Sequence, residues 1–200
     1  MTATELMAEK ARRLDEDPTY RAEVERQEAE RQARVDRERQ AEQPLVEDLR
    51  RLGLNVNSVW DLDKVPDSRP RAIPVLLDHI RRDYPDGVLM GIGVGLDDRS
   101  AHAWWAELRG LLRGASRDVV RDRAASALAT CATRENYDDL LTFITDEALG
   151  AARVYFVRPV NRIGNKISPG QGRSVLEALT DDAVLGKEAT TVLKGRGRNQ

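Results

Sequence analysis

Apolar residues in the second half of the chain return at helical spacing. In the stretch from Arg117 to Ala132, RDVVRDRAASALATCA, Val120, Ala124 and Leu128 stand at i, i+4 and i+8. That spacing is one face of an amphipathic helix. Asp118 is expected to cap it, because a short acidic side chain accepts from the free N–H groups of a first turn. The alanines at 124, 125, 127 and 129 leave room for a neighbouring helix. The same frame recurs 32 positions earlier as Asp86, Val88, Ile92 and Leu96, and 28 positions later as Asp146, Ala148, Ala152 and Phe156. A looser copy, Asp182 with Val184, Ala189 and Leu193, reads as a terminal cap.

The segments ahead of these helices repeat as well. Leu76, Leu108 and Leu140 lie 32 apart and Leu176 follows at 36, while Ile80, Leu112 and Ile144 are again 32 apart. Two helices per roughly 30 to 40 residues is the mark of an α-solenoid. On these positions, residues from about 70 to 195 resemble HEAT-like repeats of the short bacterial kind. In those repeats the second helix often begins with Asp and carries Val or Ala two places on. The resemblance implies an all-α fold, an α-solenoid of HEAT-like helical hairpins with a long charged N-terminal helix. It implies little about activity, since such repeats mostly build surfaces. An irregular helical bundle is the competing architecture. VYFV at 154–157 is the best local strand candidate, and its place in the repeat assigns it to a helix.

The N-terminal part is patterned differently. A first helix is expected over 2–15, capped by Thr2 or Thr4, with a modest stripe of Leu6, Ala8, Ala11 and Leu14. Asp17-Pro18 opens a second helix, Asp as cap and Pro in the first turn. From Thr19 to Glu42 that helix is almost all charge, with acid and base alternating at helical spacing. Its small apolar residues cannot sustain a coiled-coil seam, so it reads as a solvated helix, or as a partner-binding arm. Pro44 interrupts it, and a short helix follows with Leu45, Leu49 and Leu52 on one face and Gly53 as its stop. Ser58 caps a brief turn through Trp60, which is expected to plug the open end of the repeat core. The organisation is therefore a charged helical extension (1–43), a repeat domain (44–195) and a flexible tail (196–200).

Composition narrows the chemistry. Net charge is −2, and charged residues are 33% of the chain against 4% aromatic. A generally basic nucleic-acid binder would carry more positive charge. Cys131 is the single cysteine and His79 and His102 the only histidines, so neither a disulfide nor a zinc site is supported. GIGVG at 91–95 lacks the spacing and the following Lys-Ser/Thr of a nucleotide loop. No apolar run approaches 18 residues and the start of the chain lacks a signal-peptide core, which makes a cytoplasmic protein with no membrane partner the expectation. No cofactor, metal or catalytic residue is expected.

What remains is a binding surface. Arg153, Arg158 and Arg162 fall on one predicted second helix, EALGAARVYFVRPVNRIG, with Pro159 expected to kink it. Salt bridges to Asp146 or Glu147 are the structural alternative for these arginines. Trp104 and Trp105 are about 100° apart around a helix, so one is expected in the core and the other exposed as an anchor. The function expected is a non-catalytic protein-binding module of adaptor, inhibitor or immunity type, contacting another protein through Arg153, Arg158, Arg162 and one of Trp104 and Trp105. The alternative is a nucleic-acid-binding protein similar to the DNA-base glycosylases that resemble HEAT-like solenoids, which need a basic groove, aromatics and one catalytic acid.

Overall fold

A computed structural model describes residues 2–195; the tail at 196–200 lies outside the described residues. Every regular element among the described residues is helical. The chain divides into two compact units, 1–41 and 42–200.

The first unit is two helices, α1 (Ala3–Glu16) and α2 (Pro18–Ala41). Thr2 caps α1 in a reciprocal box: its hydroxyl accepts from the Glu5 amide at 3.2 Å, and the Glu5 carboxylate accepts from the Thr2 amide at 2.7 Å. Asp17 caps α2 by accepting from the Tyr20 amide at 3.0 Å. No residue of α2 is buried. Exposed pairs such as Arg26 with Glu23 (2.7 Å) and Glu30 (2.5 Å) run along it, as its charge pattern requires.

The second unit opens with α3 (Gln43–Arg51), which buries Leu45, Val46 and Leu49. Leu52 does not share that face. It follows the last helical residue and is 37% exposed, just ahead of Gly53, whose φ of 76° makes the left-handed stop. A 3-10 turn, Val59–Lys64, is capped by Ser58 as expected. The buried Glu42 carboxylate holds this turn, accepting from the Ser58 hydroxyl at 3.0 Å and the Val59 amide at 3.1 Å. Trp60 in the turn is 51% exposed rather than a core plug; Val59 and Leu62 take the buried places.

Four pairs of consecutive helices follow: α4 (Ser68–His79) with α5 (Asp86–Leu96), α6 (Trp105–Gly114) with α7 (Asp118–Cys131), α8 (Tyr137–Thr145) with α9 (Val154–Ile167), and α10 (Gln171–Ala178) with α11 (Gly186–Gly195). The second helix of each pair also packs on the next second helix, α5 on α7, α7 on α9, α9 on α11. Leu76, Leu108, Leu140 and Leu176 are all fully buried, and so are Leu112, Ile144, Ile92, Leu128 and Phe156. The rings of Phe143 and Phe156 meet at 5.1 Å between α8 and α9.

The repeat frame fails at its edges for local reasons. Asp118 and Asp86 are not caps; Arg117 and Pro85 occupy those positions, and each aspartate sits in the first turn paired to an arginine. The third copy is not one helix from Asp146. Asp146 caps a 3-10 segment, Glu147–Arg153, in which Gly150 adopts φ 55°, and α9 starts only at Val154. The frame's Ala148 is consequently exposed, and Val184 of the fourth copy is 41% exposed.

Three glycines of α5 have separate steric reasons. A Cβ on Gly91 would stand 2.5 Å from Val59 Cγ1, one on Gly95 2.7 Å from Leu76 Cδ1, and one on Gly93 2.2 Å from Arg123 Cγ. Gly93→Ala is therefore expected to force α5 and α7 apart, costing about 1–2 kcal/mol after the better helix propensity of alanine is counted. Urea denaturation measures this, and a more stable variant would show that Arg123 yields freely.

Candidate functional site

The structure separates the three arginines. Arg153 points inward with its side chain 8% exposed: Nε donates to the Ile144 carbonyl at 2.8 Å and Nη2 to Asp182 at 2.7 Å. It ties the start of α9 to the loop before α11 and is not available to a partner. Arg158 is 71% exposed and its Nε donates to Glu188 at 2.7 Å. Arg162 is exposed and makes no ion pair or hydrogen bond among the described residues. The acids involved, Asp182 and Glu188, are not the two nearest in sequence.

Both tryptophans of the 104–105 pair are half-buried. Trp105 donates Nε1–H to Asp139 at 2.7 Å and its ring lies 6.4 Å from that of Phe143. Neither is a freely exposed anchor; Trp60 is the exposed one.

Packing defines a surface that the sequence did not reveal as one unit. α5 is flanked by α4, the Val59–Lys64 turn and α7; α7 by α6, α5 and α9; α9 by α8, α7, α10 and α11. Each of these helices leaves a row of residues at least partly uncovered. On α5 it is Gly87, Met90 and Val94; on α7 it is Asp122, Arg123 and Ser126; on α9 it is Tyr155, Arg158, Arg162 and Lys166. Because the helices adjoin, the stripes form one open face. Lys166 extends the arginine series by another i+4 step, and it too lacks a partner among the described residues. That spacing was visible in the sequence.

Two polar contacts stitch the middle of this face. Arg123 lays its stem over Gly93, donates Nη2–H to the Tyr155 hydroxyl at 2.8 Å and stacks 5.8 Å above the Tyr155 ring. Asp97, just past the end of α5, accepts from the Ser126 hydroxyl at 3.0 Å through Oδ2, while its Oδ1 is buried without a partner among the described residues. Burial pushes the Asp97 carboxyl above its ordinary value, opposed by the Ser126 hydrogen bond and by the charges of Arg123 and Arg69.

Elsewhere two buried reactive residue types, His79 and Cys131, serve structure. His79 is fully buried between Asp48 (Nε2, 2.9 Å) and the Tyr84 hydroxyl (Nδ1, 2.8 Å), joining α3 to α4. The Cys131 thiol is pushed up to about 12 by burial, so it carries no thiolate at neutral pH. No group of three His, Cys, Asp or Glu side chains among the described residues is arranged to hold a metal ion. No helix among them is long and apolar enough to cross a membrane. The open face thus offers cationic and aromatic contacts.

No family model, curated protein or solved structure matches the chain.

Three variants check these roles by their stability. Arg153→Met removes the hydrogen bonds of a buried guanidinium to Ile144 and Asp182 and is expected to cost about 1.5–3 kcal/mol, the scale for hydrogen bonds made by a charged group. Arg162→Ala should stay within about 0.5 kcal/mol of the parent. Asp97 has a raised folded-state pKa, so its stabilisation is full below the unfolded value of 3.8 and is lost as pH rises through the folded value. Asp97→Asn is then expected to raise the melting temperature at pH 7 by a few degrees, about 1 kcal/mol. The gain should vanish as pH falls towards 3.8. A lower melting temperature at pH 7 would mean that attraction to Arg123 outweighs burial.

Proposed function

We propose that the chain is a non-catalytic protein-binding module built as a short HEAT-like solenoid, and that the open face of α5, α7 and α9 contacts an acidic segment of another protein. The row of second helices, each packed on the next, supports the solenoid reading, as does the burial of the leucines spaced 32 apart. The observation that carries the binding reading is the cationic stripe on α9. Arg162 and Lys166 have no acceptor among the described residues, and Arg158 has only an exposed pair with Glu188. Exposed pairs of this kind are weak, so a partner carboxylate displaces Glu188 at small cost. Tyr155 and Arg123 add a planar cation and a ring beside the stripe, groups favoured at binding hot spots. A cytoplasmic setting belongs to this proposal, and the lone buried Cys131 is compatible with a reducing compartment.

Nucleic-acid phosphate is the competing ligand for the same stripe. Fluorescence anisotropy with a glutamate-rich peptide and with duplex DNA, each titrated over a salt series, separates the two. The peptide is expected to bind more tightly at physiological salt. Arg162→Glu combined with Lys166→Glu should weaken it at least about tenfold, or ~1.4 kcal/mol, with the melting temperature unchanged. Tighter DNA binding with a steep salt dependence would replace the protein partner by nucleic acid. Equal affinity in the double variant would remove the stripe from the site.

A further inference from the structure

A second feature lies apart from the α9 stripe. The residues just past α4 (Ile80, Arg81, Arg82), the last turns of α6 (Gly110, Leu111, Gly114) and the α6–α7 connection (Ala115–Arg117) line an open pocket of about 330 Å³. That is at the small end of ligand cavities, about 300–1,000 Å³.

Its two glycines lack a structural reason. Gly110 and Gly114 are helical, neither has a positive φ, and a Cβ on either would meet nothing within 4 Å. Alanine would serve α6 better at Gly110, which is well inside the helix. What the two glycines do, one turn apart on the same side of α6, is leave the cavity wall open.

Three arginines also line it. Arg81 has no carboxylate partner; its Nη1 donates to the Leu77 carbonyl at 2.6 Å, and its remaining N–H groups make no other bond among the described residues. Arg117 is braced by Asp86, by the Tyr84 carbonyl at 2.6 Å and by Asp83 at 3.4 Å. Arg82 is held by Asp78. These acids orient the guanidinium groups and offset part of their charge, and Asp118, paired with Arg121 at 2.5 Å, adds one more. The Ser116 hydroxyl makes no hydrogen bond among the described residues. The apolar side chains of Ile80, Leu111 and Val120 complete the wall.

Arginine forks, a free hydroxyl and an apolar wall together suit a phosphate carried on a small organic group. We infer that the cavity between α4, α6 and α7 binds a small phosphate monoester, with Arg81, Arg82 and Arg117 around the phosphate and Ser116 donating to it. This site is independent of the acidic-partner face, so either can fail without the other.

Isothermal titration of the full chain with O-phosphoserine, and separately with inorganic phosphate, tests it at constant ionic strength set by chloride. Saturable one-to-one binding is expected, tighter for the ester. Arg81→Glu with Arg82→Glu should weaken it more than about tenfold. Gly110→Leu fills the cavity without touching an arginine. It should abolish binding while the melting temperature holds or rises, so that lost affinity is not lost folding. Absence of saturation with either ligand, or unchanged affinity in either variant, overturns the site. Tighter binding of inorganic phosphate than of the ester overturns the ester assignment.

Discussion

The close approach of α5 and α7 at Gly93 is the constraint on which the open face depends. With no side chain at that position, the Arg123 stem lies directly against α5. Its guanidinium is thereby delivered to Tyr155 on α9, 2.8 Å from the hydroxyl. One absent methyl group thus links three helices. The same economy recurs between α9 and α10, where a Cβ on Gly164 would fall 2.8 Å from Gly172 Cα and one on Gly172 would fall 2.4 Å from the Asn161 carbonyl oxygen. In both places the contact is made by a backbone surface, which repacking of side chains cannot replace.

Much of the fold was legible because burial leaves a periodic trace. Leu76, Leu108 and Leu140 keep one spacing and all are buried. What disturbed that trace was backbone geometry with no apolar signature. Gly150, at φ 55°, splits a stretch that looks like one continuous amphipathic helix into a 3-10 segment and α9. Asp118 looks like a cap by residue type, yet the chain turns one residue earlier and a side chain already inside the helix cannot reach the first-turn amides.

The site was less legible for a different reason. Which face a charge occupies follows from its spacing, but which acid neutralises it depends on tertiary approach. Arg153 and Arg162 look alike in the sequence, and one is clasped by Asp182 while the other stands free. Trp60 misled in the opposite direction. Large aromatics are usually taken inside, but Val59 and Leu62 fill the space beneath the turn and leave the indole half outside. Asp97 carried no signal at all, since the burial of its carboxyl depends on neighbours brought together from α5 and α7.

α9 is packed against α7, α8, α10 and α11, and Pro159 is buried within it. A helix wedged on so many sides has few ways to shift. Whatever ligand meets its outer side chains would have only rotamer freedom to quench, about 0.5–1.5 kcal/mol for each long side chain. The backbone would contribute little further loss. The entropic toll of association would thus be largely settled during folding, and recognition there would resemble a key meeting a stiff comb more than a loop closing around its guest.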